Sequence, residues 1–260
     1  MISLIIGLSA ILLYLLSAWT QNNTPLNQAS KRVYIFSLAA WMLQGFYLYL
    51  HLFTKAGLLL DLGATLSLAA WAVIGIILIS SLRKPVSSLL IFAAPIAAVA
   101  IAIDTISVPK FEGRHFSSGI LLHIVTSILS YALFAVATCQ AVLLIYQNRH
   151  LKQHQPSRLV ASLPPLQTME SLLFEVLATG QVFLSMALLT GVLFLDDLWS
   201  QHVVHKTILS LVAWVIFSIL LFGHYRLGWR GRTAIRWTLW GFANLVLAFL
   251  GTKLALEFFL

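Results

Sequence analysis

A chain of 260 residues that is 60% hydrophobic, 9% charged and has a mean hydropathy of +0.93 cannot hide its apolar side chains in a water-soluble core; soluble domains carry roughly 25% charged residues. Lipid is therefore the solvent for most of it, and the lipid bilayer is its first partner. The net charge of +8 would suit nucleic acid only on one solvated face, whereas here the basic residues lie in short loops between apolar runs, so no nucleic-acid partner is expected.

Taken in chain order, eight apolar segments approach the roughly 20 residues a membrane span needs: Ile2–Trp19, Val33–Phe53, Leu62–Leu82, Val86–Ile103, Gly119–Gln147, Leu172–Leu195, Thr207–Phe222 and Ile235–Phe258. The first lacks a basic leader and a small-x-small cleavage site and is read as a span rather than a secretory signal. Pro95 lies inside the fourth and should kink it. The fifth is longer than the hydrocarbon core, so it tilts or protrudes. Before the sixth, Pro164 and Pro165 mark a helix start. Leu166, Met169, Leu173 and Leu177 then recur at helical spacing, which predicts a short amphipathic helix lying at the inner interface. The expected fold class is an all-α integral membrane protein, a single domain over 1–260 formed by a bundle of eight transmembrane helices.

Loop charge orients the bundle. Of the sixteen Lys and Arg residues, eleven fall in loops on one side (Lys31, Arg32, Arg83, Lys84, Arg149, Lys152, Arg158, Arg226, Arg230, Arg232, Arg236) and five on the other. The richer side is the cytoplasm, which places both termini outside. Asp61 and Asp104 fall on the outer side, Asp104 opening the loop Asp104–Ser118.

The lone cysteine, Cys139, sits in an apolar run. It makes no intramolecular disulfide and no thioether haem site, so it reads as a packing residue. No nucleotide-binding, metalloprotease or serine-hydrolase motif occurs, and no carboxylate is expected mid-span. The chemistry is left to the eight histidines. His51, His123, His202 and His205 fall at the outer face, and His224 closes the seventh span at the inner face. His205 and His224 are nineteen residues apart on one helix, which separates them by ~28 Å, so they cannot ligate one ion.

His123, Ser127, Ser130 and Tyr131 form one polar stripe at i, i+4, i+7 and i+8. It faces either a cavity or a neighbouring helix that accepts its hydrogen bonds, because lipid offers none. His224 admits two readings as well: an intramembrane ligand, or an interfacial ring that snorkels to headgroups. The arginines beside it, Arg226 and Arg230, either anchor the inner face or meet carboxylates. Imidazole without thiolate or carboxylate partners suits haem iron better than structural zinc.

The run LLHIVTSILSYALFAVATCQAVLLIYQ from Leu121 is followed by LPPLQTMESL, by LLTGVLF and by TILSLVAWVIFSILLFGHYRLGWRGR from Thr207. This order, from His123 to Arg232, resembles the cytochrome c assembly superfamily, which includes CcsA, ResC, CcmC and HemX-like proteins and the compact eight-span inner-membrane YpjD group. The first four spans resemble it only in being apolar, so the family core is expected over 119–258. The resemblance implies a non-enzymatic, multi-pass protein of the bacterial inner membrane that binds non-covalent haem b through histidines. His123 and His224 match family ligands, and His51 matches loosely. Of the family's tryptophan-rich outer loop, LDDLWSQHVVHK (Leu195–Lys206) keeps Trp199, with His202 and His205 close by. His51, His205, Trp199, Arg226 and Arg230 complete the expected haem contacts, with Arg226 and Arg230 meeting propionates. The depleted loop points away from a synthase and toward an accessory or a regulator. Partners implied are other cytochrome c assembly components or a cytosolic enzyme of the haem pathway.

Overall fold

In the computed structural model, residues 2–23, 26–54, 57–82, 86–107, 113–153, 160, 163–194 and 201–259 are described. Among them are eight long helices: α1 (Ile2–Asn23), α2 (Leu26–Leu52), α3 (Leu62–Ser81), α4 (Leu90–Ile106), α5 (Ser118–Lys152), α6 (Leu166–Phe194), α7 (Gln201–Leu227) and α8 (Arg232–Phe259). Each expected span falls on one of them. Seven, α1 to α7, are long and apolar enough to cross a membrane. The small strands β1 (Phe53–Thr54) and β2 (Gly57–Leu58) pair as a hairpin after α2, and Leu58 bridges to Arg114. Gly57 has φ +118°, and a Cβ there would meet the Arg114 carbonyl at 2.6 Å, so only glycine fits this crossing.

The chain divides into two compact units: Met1–Phe116 with Pro156–Pro164, and Ser117–Gln155 with Pro165–Leu260. In the first, α1 lies against α2 and α4, and α3 against α4 and α2. Polar side chains tie these helices together inside the bundle, where water cannot substitute. Tyr14 donates to Gln44 at 2.7 Å, Gln44 donates to the Ser67 carbonyl at 3.0 Å, and Ser17 meets Ser37 at 2.7 Å. Between α2 and α3, Trp41 and Trp71 stack at 4.8 Å, and each indole N–H donates to the other's backbone carbonyl at 3.0 Å. Gly45 and Gly75 make the room: a Cβ at either would come within 3.0 Å of the opposite indole nitrogen.

In the second unit α5 packs along α6 and α8, and α7 along α8 and α6. Phe134 of α5 stacks on Phe217 of α7 at 3.9 Å. Gln181 of α6 donates to Ser218 at 2.8 Å, and Trp214 donates back to Ser185 at 2.9 Å.

Two expectations change. The segment Leu166–Leu177 is not a separate interfacial helix; it forms the first turns of α6, continuous with the span. The reason is burial: Met169, Leu173 and Leu177 turn into the bundle, so the apolar stripe is satisfied by protein rather than by the lipid interface. The fourth span also runs further than its apolar stretch. Asp104 lies inside α4, 1% exposed, instead of opening the outer loop. Asp61 is buried too, and caps α3 by accepting from the Ala64 N–H at 2.8 Å, which satisfies one of the helix's orphan donors.

Candidate functional site

His123 stands in the first turns of α5. Its Nδ1 lies 2.9 Å from the Ala187 carbonyl oxygen of α6. Only an N–H can face a carbonyl oxygen at that distance, so Nδ1 carries a proton, and in the neutral ring the lone pair then lies on Nε2. Nε2 has no hydrogen bond among the described residues. A backbone carbonyl holding one nitrogen while the other stays available is the arrangement that orients metal-binding imidazoles.

The ring forms part of the wall of a cavity of about 150 Å³ between α5, α6 and α7. The polar stripe on α5 divides its work. Ser127 and Tyr131 line the cavity with His123, while Ser130 donates to the Gly180 carbonyl at 3.3 Å and ties α5 to α6. The Tyr131 hydroxyl is buried and makes no hydrogen bond among the described residues. Across the cavity, α7 contributes Lys206, Thr207 and Ser210, and apolar walls come from residues such as Leu184, Leu188 and Val192. Val192 is 66% exposed, so the cavity opens on its lipid side.

His224, in the last turn of α7, has the same tautomer. Its Nδ1 donates to the Trp229 carbonyl at 2.9 Å, and its ring stacks on Phe174 of α6 with centroids 3.4 Å apart. The chain after it folds tightly back. The Trp229 N–H donates to the Gly223 carbonyl at 3.1 Å. The Gly231 N–H donates to Glu170 at 2.7 Å, and Gly228 and Gly231 take φ of +68° and +57°. One face of this imidazole is therefore filled by Phe174. Ala187 and Phe174 are thirteen residues apart on α6, which spaces the two histidines by ~20 Å along the helix, too far for one ion.

The other expected residues are placed as follows. His51 belongs to the first unit, at the end of α2. Its Nδ1 is 3.5 Å from the buried carboxylate of Asp104 and 3.2 Å from the Tyr47 hydroxyl, which in turn is 3.5 Å from Thr105. His205 is exposed, while its neighbour Lys206 lines the cavity. Arg226 and Arg230 are exposed, and Arg236 lines a separate groove with Trp237 and Trp240. Trp199 and the loop 195–200 lie outside the described residues, as does the side chain of His202. Among the described residues, no three His, Cys, Asp or Glu gather in a metal-binding group.

Two residues were missed by sequence reasoning. Asp104 was placed in the outer loop because the apolar run ends before it. Lys206 reads as an interfacial lysine, and only its position one step round the helix from His205 marks it. The donor set fits a haem iron: an imidazole held through Nδ1 in an apolar surround, with no thiolate or carboxylate beside it among the described residues. The enclosed space is below the ~300 Å³ of a small-ligand pocket, so a macrocycle would extend through the lipid side past Val192.

Long apolar helices carrying internal polar ties and intramembrane imidazoles define a multi-span helical membrane protein. The model of the cytochrome C assembly protein family matches residues 33–260, and the chain belongs to that family. The match begins within α2, at residue 33. Among curated relatives, Inner membrane protein YpjD of Escherichia coli (strain K12) is 35% identical over 52% of this chain and 51% of its own length. Protein HemX of Brevibacillus brevis is 23% identical over 82% of this chain and 69% of its own. Cytochrome c biogenesis protein CcsA of Chlamydomonas reinhardtii is 22% identical over 62% and 47%. The chain thus spans about half the length of the first relatives it matches. No solved structure matches it significantly.

Proposed function

We propose that this protein is a non-enzymatic haem-binding component of the inner membrane, acting with the cytochrome c assembly machinery without presenting haem as a synthase does. One membrane domain of eight spans, with both termini outside, carries it. The observation that supports this most is His123: Nδ1 held by the Ala187 carbonyl, Nε2 without a hydrogen bond among the described residues, and the ring in the wall of a cavity with polar lining. His224 is the second, separate ligand at the inner face, where Arg226 and Arg230 neutralise propionates. His51, His205 and Trp199 form the outer approach. When bound, non-covalent haem b would supply a redox-active iron, and the chain's residues would hold and orient it, exclude water and balance its charge. The test is a pyridine haemochrome assay on protein purified in mild detergent from haem-supplied cells. The expected result is a haem b spectrum that is lost in the double variant His123→Ala/His224→Ala; an undiminished Soret band in that variant would overturn the reading.

A second reading draws on the HemX relative, which aligns over more of the chain than CcsA does. In it the bundle is a regulator or scaffold that contacts a cytosolic enzyme of the haem pathway through the basic segment Asn148–Glu170. Photocrosslinkers placed in that segment should then capture a soluble partner; recovery of none counts against it.

A further inference from the structure

Lys206 is the residue of the His123 cavity that packing alone leaves unexplained. It stands in the second turn of α7, inside the apolar stretch Val204–Leu227, and lines the cavity with His123, Ser127 and Tyr131. Among the described residues no carboxylate pairs with it, and the one ion pair there is His51–Asp104, in the other unit. A cation kept in an apolar, lipid-facing site is costly without a counter-charge. A lysine that only anchored the span would turn outward to the headgroups, as its exposed neighbour His205 does. Here the order is reversed, with the imidazole outside and the ammonium inside.

We infer that Lys206 is the anion anchor of this cavity, and that the ligand it takes is a flat apolar body bearing a carboxylate. The hydroxyls of Ser127 and Ser210 line the same cavity and add donors around the carboxylate, while Leu184, Leu188 and Val192 meet the apolar body. A charge-assisted contact of this kind sets which ligands are accepted as well as how tightly. The assignment rests on the haem reading above: the carboxylate is then a propionate, held on the outer side while His123 Nε2 faces the iron.

The purified full-length protein is titrated with iron protoporphyrin IX and, in parallel, with its dimethyl ester, whose propionates carry no charge, and binding is read from the Soret band. The wild type is expected to bind the free acid about tenfold or more tightly than the ester. Lys206→Met should weaken the free acid by a similar factor and leave the ester within about twofold, and Lys206→Arg should restore the preference. Equal wild-type affinity for acid and ester overturns the inference and needs no variant, so a variant that fails to fold does not shelter it. A Lys206→Met protein with wild-type affinity for the free acid also overturns it, leaving the haem reading intact. A wild type that shifts the Soret band of neither compound removes both.

Discussion

At the scale of single residues, the histidines part company once their neighbours are known. His123 and His224 both donate through Nδ1 to a backbone carbonyl, but one ring looks into a cavity and the other lies flat on Phe174. His51 instead meets a carboxylate. Removing it strands the buried Asp104 without its partner, and breaking a buried pair on one side costs about 3 kcal/mol or more. We expect His51→Ala to lower the unfolding temperature in detergent markedly. Asp104→Asn, which removes the charge together with the need to pair it, should cost less; the reverse order would show that the pair does not hold this end of the first unit. None of this was legible beforehand, because a span boundary drawn from hydropathy stops at the first carboxylate. Lys206 escaped for a related reason: an imidazole is a more familiar ligand than an ammonium, and the alternation that turns one inward and its neighbour outward depends on helix phase.

At the scale of elements, the eight runs and the long α5 were readable, since a twenty-residue apolar stretch has few other fates. The contacts between helices were not, because every face of such a helix is apolar and periodicity carries little information about partners. The Trp41–Trp71 pair shows the difference: nothing in WMLQG and WAVIG announces that the two indoles will stack and trade hydrogen bonds. Trp41→Phe and Trp71→Phe should each cost about 1 kcal/mol for the lost bond. The double variant should cost less than the sum, since the residues share one contact; strict additivity in thermal unfolding would contradict the pairing. At the end of α7, Gly223→Ala would push a methyl to within 2.4 Å of the Trp229 ring. Overpacking of this sort costs about 1–3 kcal/mol. It should also release the carbonyl that orients His224, so the variant is expected to lose stability and to expose the Gly228–Gly231 turn to proteolysis.

For the whole molecule, loop charge is a property of composition along the sequence rather than of packing, so it yields an expected orientation with no knowledge of which helices touch. Reporter fusions after α5 and after α6 should place Lys152 in the cytoplasm and the segment 195–200 outside; the opposite sidedness would invert the assignment of inner and outer histidines. The two histidines that the resemblance singles out, His123 and His224, stand on two different helices. What it could not supply was the wall around each ring, which decides whether an imidazole binds a ligand or packs a turn.

That distinction is open to a direct measurement at His123. If Nε2 ligates iron, His123→Gly should bind haem poorly and lose most of the Soret band, and exogenous imidazole entering the vacated space should restore it in proportion to its concentration. A glycine variant that keeps the wild-type spectrum, or one that loses it and cannot be rescued by imidazole at any concentration while remaining folded, would mean that His123 ties α5 to α6 and carries no metal.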